Sequence, residues 1–205
     1  MKSFPNQIPI FPLSGVIYFP KTNLPLNIFE KRYLDLVNDS IRKDKLMGMI
    51  QSKRKDKGLY KVGCLGKISD FQKSKDGRIL INLTGITRFQ VLEEVKNSKL
   101  YREFKVGYEK FSLDLEPVLE EINTESLMKK AEIFFKKSGL LLNWKEFNKI
   151  KKVQKINTLA MIAPITNEEK QKLLESISLK EKVKTLEDIM NFYLHEVNSN
   201  NQTIQ

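Results

Sequence analysis

The apolar periodicity of this chain changes character within one stretch near its start. In Ile10-Phe11-Pro12-Leu13-Ser14-Gly15-Val16-Ile17-Tyr18-Phe19-Pro20 the apolar residues come in short runs rich in β-branched and aromatic side chains. Such runs favour buried strands, and Val16 to Phe19 is the clearest of them. Pro12, Pro20 and Pro25 punctuate the stretch, because proline lacks a ladder donor and is confined to strand ends, edges and bulges. From Ile28 onward Phe29, Tyr33, Leu36, Val37 and Ile41 recur at helical spacing. The chain therefore opens with strands and passes into a short amphipathic helix, expected over residues 29–40.

Further strands follow. Residues 46–50 read as a buried strand, 52–58 as a basic loop with a glycine stop, and 62–68 as a strand interrupted by Gly63 and Gly66. Glycine inside a strand marks a bulge or the tight bend that a barrel corner needs. Asp76-Gly77 is a hairpin signal between strands over 68–73 and 78–83. Leu80 and Asn82 alternate with Ile79, Ile81 and Leu83, so this strand is expected to be covered on much of both faces. Gly85 bends the chain into a strand over 86–92. A last strand over 101–111 sets Phe104, Val106 and Tyr108 on one face. Six or so short strands with glycine corners suggest a small closed or nearly closed barrel.

The texture changes at Asp114. Pro117 fits the first turn of a helix running to residue 138, with Gly139 as its C-cap. Asn143, with Glu146 three residues on, opens a second helix that Pro164 ends. Thr166 with Glu169, and Ser178 with Glu181, fit the capping box and start helices over 167–175 and 179–197. The expected division is a β-barrel over 1–112, a helical bundle over 113–197 and a polar tail over 198–205.

Charge is unevenly spread. The 205 residues carry a formal net charge of +11, and the whole excess lies in residues 1–110, with 22 basic and 11 acidic side chains. Arg42, Lys43, Lys45, Lys53, Arg54, Lys55 and Lys57 form its densest part. Such an excess can mark a nucleic-acid face, but the loop lacks interleaved aromatics for base stacking. No apolar run is long enough for a membrane span, and no signal peptide is visible. One cysteine excludes an internal disulfide and points to a reducing, cytoplasmic setting. Cys64 and His195, the only residues of their kinds, cannot supply the four ligands of a closed zinc site. Gly63 to Lys67 has neither the spacing nor the hydroxyl of a phosphate loop. No nucleophile, base and orienting group can be named together, so no catalytic residue, metal or cofactor is expected.

The motif formed by Pro12-Leu13, Val16, Phe19-Pro20, Pro25-Leu26, Ile28-Phe29-Glu30 and Arg32-Tyr33 resembles the opening of the Lon protease N-terminal (substrate-binding) domain. Val62-Gly63, Leu65-Gly66, Ile68, Asp76-Gly77-Arg78, Leu83, Gly85 and Arg88-Phe89 resemble that family's next motifs. The run Glu169-Lys170-Gln171-Lys172-Leu173-Leu174-Glu175 resembles its helical segment. The resemblance extends over residues 8–195. It implies an α+β fold, a PUA-like β pseudo-barrel followed by a C-terminal helical bundle. It also implies a free-standing version of the domain, without the ATPase and Ser–Lys peptidase modules of full-length Lon.

A non-enzymatic protein-binding module is then expected. It would recognise unfolded or specific protein and peptide substrates, or dock a protease or chaperone partner. An extended peptide could add to a sheet edge or lie along a groove. The alternative is an RNA- or DNA-binding PUA-like domain that uses the basic residues named above. The candidate partner-binding residues are Glu30, Arg32, Tyr33 and Arg88. Their structural role is the competing expectation: Glu30 with one of the arginines would brace the barrel, since an isolated buried charge is very costly, and Tyr33 and Phe89 would lie in the core.

Overall fold

The computed structural model describes residues 4–53, 58–118 and 121–200, with side chains to His195. The chain forms two compact units, Met1–Glu116 and Pro117–Gln205. The first unit contains β1 (Gln7–Leu13), β2 (Asn23–Ile28), α1 (Lys31–Arg42), β3 (Leu46–Gln51), β4 (Val62–Lys73), β5 (Ile79–Val95) and β6 (Arg102–Gly107). The strand order is β2-β5-β4-β3-β1-β6, and β6 pairs again with β5. The sheet therefore closes on itself as a five-stranded ring, with β2 added outside the ring.

Strand β5 makes this closure. It is 17 residues long, and β4 pairs with it from Ile79 to Gln90 on one edge. On the other edge β2 pairs with Ile79–Thr84, and β6 pairs from Gln90 to Val95. Following the register once around the ring, from Thr87 through Leu65, Gly48, Ile10 and Arg102, returns to β5 beyond Val95. That large stagger is what lets so few strands close. Gly85 does not end the strand as expected. It sits at a register shift against β4, and the ladder continues past it.

Ile8, Ile10, Leu46, Ile50, Leu65, Phe89, Phe104 and Val106 fill the ring. Their fully buried aromatic centre is Phe89. A Cβ at Gly63 would strike its ring, and one at Gly48 would strike Ile10 and Ile8 and crowd the same ring.

The run Val16 to Phe19 is not a strand. Ile17, Tyr18 and Phe19 are buried, but they join no ladder. The run meets β5 at one point instead. The Phe19 carbonyl lies where a Cβ of Gly85 would stand, the Lys21 N–H donates to the Gly85 carbonyl, and the Gly85 N–H donates to Thr22.

Prolines also lie inside β1, at Pro9 and Pro12. The Asn6 carbonyl accepts from Val106 of β6, and the Leu13 carbonyl accepts from Ser52 just past β3. By alternation Pro12 turns its nitrogen to the β6 side after that pairing has ended. Pro9 turns to the β3 side before that pairing begins. Neither interrupts a ladder.

The second unit contains α2 (Glu125–Lys137), α3 (Trp144–Phe147), α4 (Lys152–Ile162), α5 (Asn167–Glu175) and α6 (Leu179–Asn200). Leu127, Ala131, Phe134, Phe135, Leu159, Leu173, Leu174, Leu186 and Met190 are buried in it. Helix α2 starts later than Pro117 because the Asn123 side-chain carbonyl accepts the Glu125 N–H and holds a local turn. The helix expected from Asn143 to Pro164 is broken in two, with Lys151 extended between α3 and α4. Ala163, before Pro164, is also extended, as the residue preceding a proline favours. Thr166 and Glu169 form the full capping box. Ser178 caps Glu181, but the Glu181 carboxylate accepts from Ile177 instead of Ser178.

Candidate functional site

Strand β2 is the open margin of the first unit, because its pairing among the described residues is with β5 alone. The Gly85 N–H donates to the Thr22 carbonyl, which sets the direction of every residue after it. Leu24, Leu26 and Ile28 turn their amides and carbonyls towards β5. Asn23, Pro25 and Asn27 turn theirs towards the free edge. Side chains alternate between the two faces as well. Ile28 is buried, whereas Asn23, Pro25 and Asn27 are exposed on the outer face.

Two large apolar residues extend this outer row. Leu80 of β5 lies opposite Asn27 and is 44% exposed. Phe29 follows β2 directly, on the same side of the alternation as Asn27, and is 65% exposed. Pro25, Phe29 and Leu80 thus form an apolar patch on a sheet whose backbone is fixed on both sides of Leu80. The β4–β5 hairpin bounds it through a tight turn, with Gly77 at φ +87° and the Gly77 N–H donating to the Ser74 carbonyl.

Two exposed ion pairs flank the patch. Arg32 Nη2 lies 2.7 Å from Glu30 Oε2, and Arg78 Nε lies 2.9 Å from Asp76 Oδ2. The hydrogen bond to Glu30 holds the Arg32 guanidinium above its ordinary pKa. The same guanidinium lies 4.6 Å from the centre of the Tyr33 ring. Tyr33 is buried, its ring is 4.2 Å from that of Phe11, and burial raises the pKa of its hydroxyl.

Arg88 is placed quite differently. It lies on β5 between fully buried Thr87 and Phe89, with its side chain on the outer side of the ring under a 3₁₀ turn, Glu109–Asp114. Its Nε and Nη2 donate to Asp114 at 2.9 and 2.8 Å, and its backbone N–H donates to the same carboxylate at 2.9 Å. The guanidinium sits 4.3 Å from the Phe111 ring centre, and only 2% of Arg88 is exposed. Of the four residues picked out in the sequence, Glu30 and Arg32 therefore border the patch, while Tyr33 and Arg88 are internal. Glu30 does pair with an arginine, but at the surface. The buried arginine takes Asp114 instead.

The sequence placed Phe29 on the inward face of a helix and Leu80 between covered neighbours. Helix α1 begins only at Lys31, so Phe29 stands before its N-cap, Glu30. The signal that was present is the strict alternation of Leu80 with buried Ile79 and Ile81.

Three of the described residues in the basic group have partners. Arg42 lies 3.7 Å from Asp39, Lys45 stands over the Phe71 ring, and Lys53 stands over Tyr60. Lys43 is exposed after α1. Arg54, Lys55 and Lys57 fall outside the described residues. Cys64 is fully buried in β4, and His195 is exposed on α6 in the second unit. Among the described residues no group of three or more His, Cys, Asp or Glu side chains could hold a metal ion. No helix among them is long and apolar enough to cross a membrane.

The patch can offer contact rather than reaction. It presents apolar area that gains about 1.5–3 kcal/mol for each large side chain fully removed from water.

A family model described as the ATP-dependent protease La (LON) substrate-binding domain matches residues 7–191. The chain is 26% identical over 206 residues to the Lon protease of Syntrophus aciditrophicus, covering 93% of this chain and 25% of that protein. It is 26% identical over 194 residues to the Lon protease of Bacillus thuringiensis, covering 89% of this chain and 24% of that protein. The chain thus spans about a quarter of the length of the curated relatives it matches. Among solved structures, the fold resembles a Lon N-terminal domain protein from Xanthomonas campestris, at a TM-score of 0.66 and 21% identity, covering 88% of this chain and 96% of that one. It also resembles the N-terminal domain of a Mycobacterium avium complex Lon protease, at a TM-score of 0.63 and 14% identity, covering 90% and 98%.

Proposed function

Because the chain belongs to the Lon substrate-binding domain family, we propose that it binds protein segments presenting apolar side chains, through the outer face formed by Pro25, Phe29 and Leu80. It acts as a recognition part and carries no chemistry of its own. Its substrates are unfolded chains or specific exposed segments, and it works in the cytoplasm. The observation that carries this reading is the exposure of Leu80, opposite Asn27 on the sheet margin, and of Phe29, two residues beyond Asn27 just past the strand end. Large apolar residues that stay exposed together on an ordered surface mark interaction sites. The surrounding ion pairs Glu30–Arg32 and Asp76–Arg78 supply the polar rim that keeps such a surface soluble.

The test is site-specific photo-crosslinking. A photo-reactive residue at Leu80, and a control one at exposed Lys145 in α3, are each exposed to a reduced, carboxymethylated model protein. Capture from position 80 well above position 145 is the expected result. Equal capture, or none above a charge-matched folded control, contradicts the reading. Nucleic-acid binding in its place would give single-stranded RNA affinity that falls steeply with added salt and is unaffected by changes at Phe29 and Leu80.

A further inference from the structure

In the second unit Leu140, Leu141 and Leu142 bridge the end of α2 and the start of α3. Both ends of the bridge are fixed. Gly139, at φ +70°, donates its N–H to the Lys136 carbonyl, and the Leu140 N–H donates to the Phe135 carbonyl, which closes α2 in a Schellman motif. The Asn143 side chain accepts the Glu146 N–H and caps α3. Between these anchors Leu141 is fully exposed and Leu140 is 41% exposed. Trp144, the one tryptophan of the chain, stands just beyond them, half-buried and edge-on to Phe135 and Phe147.

Positive charge surrounds this loop. Residues 111–205 are balanced as a whole, with 14 basic and 14 acidic side chains, but residues 129–155 hold nine lysines and two acids. Lys136, Lys137, Lys145, Lys149 and Lys151 are exposed within ten residues of Leu141. The two acids are Glu146, which Lys149 holds at 2.6 Å, and Glu132, one turn before Lys136 on α2. Tyr193 of α6, whose ring packs on Phe134, donates to Glu169, and that carboxylate also accepts from Thr166. A single exposed leucine is ordinary at a protein surface. A leucine bridge beside a tryptophan, set in a run with so few acids, is a different pattern. A nucleic acid would take up the lysines and leave the leucines in water.

From this juxtaposition we propose that the loop between α2 and α3 is a contact for an anionic lipid surface. The leucines enter the acyl boundary, Trp144 lies at the headgroup level, and the lysines reach the lipid phosphates. Contact of this kind needs no spanning helix. It goes beyond the protein-binding reading and uses none of the residues of the Phe29 and Leu80 patch, so either can fail alone.

The experiment mixes the full chain with vesicles of phosphatidylcholine alone, or of equal parts phosphatidylcholine and phosphatidylglycerol, and follows sedimentation and Trp144 emission. The expected result is binding about tenfold or more tighter to the anionic vesicles, with Trp144 emission shifted to the blue and quenched by lipids brominated on their acyl chains. Leu141→Ser is expected to weaken binding about fivefold or more. Lys136→Gln/Lys145→Gln weakens it to a similar degree, about fivefold, and flattens its dependence on salt. Both variants keep the wild-type unfolding midpoint, because the replaced side chains are exposed. No binding to the anionic vesicles overturns the proposal, as does equal binding to the neutral ones. Binding that leaves Trp144 unquenched and Leu141→Ser at wild-type affinity also overturns it, as the mark of a polyanion site that uses the lysines alone.

Discussion

Arg88 and Arg32 each precede an aromatic residue and each hold a carboxylate at hydrogen-bond distance, but one guanidinium is sealed from water and the other is bathed in it. Arg88 spends its Nε, its Nη2 and its backbone N–H on Asp114, beneath the 3₁₀ turn. Arg32 reaches Glu30 two residues away, with about half of each side chain exposed. The first pair joins two parts of the chain 26 residues apart and pins the end of the barrel unit to its wall. The second joins near neighbours, two residues apart, at the surface. Two motifs of similar composition thus serve the two sides of one unit, one closing it and one facing outward.

The difference is measurable, beginning with its largest consequence. Arg88→Ala leaves Asp114 buried without its partner and is expected to cost about 3–5 kcal/mol, read from urea unfolding. A loss below about 1 kcal/mol would mean that the pair is not sealed, and the contrast would fall. Gly85→Ala probes the same closed side at a different point. The added methyl meets the Phe19 carbonyl, and overpacking of this kind costs about 1–3 kcal/mol. An unchanged midpoint would deny that the apolar run 17–19 is fixed against β5.

The tyrosines sharpen the same division by pH. Burial raises the hydroxyl pKa of Tyr18 and Tyr108 above the ordinary value, with smaller electrostatic contributions from Cys64 and Asp44. The unfolded groups ionise near about 10. Their contribution to stability is therefore fully present below that pH and is lost as pH rises above it. Ultraviolet titration of the folded chain should leave these two un-ionised through the range in which exposed tyrosine titrates. Release of all six tyrosine protons near pH 10 with the fold intact would refute their burial.

The outward side should be nearly silent in such measurements. Glu30→Gln is expected to change stability by less than about 0.5 kcal/mol, since exposed ion pairs contribute little. A shift of several kcal/mol would return Glu30 to the bracing role that its sequence neighbourhood suggested.

Much of this arrangement is legible in the residues themselves. Period-two patterning, the Asp76-Gly77 turn and the internal glycines mark out the barrel, and Thr166 with Glu169 marks a helix start that the structure keeps. What is not legible depends on tertiary partners. Nothing near Arg88 in the chain names Asp114, because the partner comes from a turn 26 residues later. Val16 to Phe19 has the composition of a strand, but composition reports burial and not hydrogen-bond pairing. Ile17, Tyr18 and Phe19 are buried outside any strand ladder, and the Phe19 carbonyl accepts from the Thr22 hydroxyl.

The patch was half visible. Glu30 and Arg32 stood out as charges beside apolar segments, whereas Phe29 and Leu80 were hidden because apolar residues are read as core by default. Only the start of α1 at Lys31, and the outward phase of β5 at Leu80, turn them to solvent.

The central claim is that the outer face at Phe29 and Leu80 holds apolar protein segments. It is tested most directly by the affinity of Phe29→Ser/Leu80→Ser for a reduced, carboxymethylated model protein, set beside its unfolding midpoint. The account predicts binding weakened by tenfold or more with the midpoint unchanged. Wild-type affinity in a correctly folded double variant would contradict it.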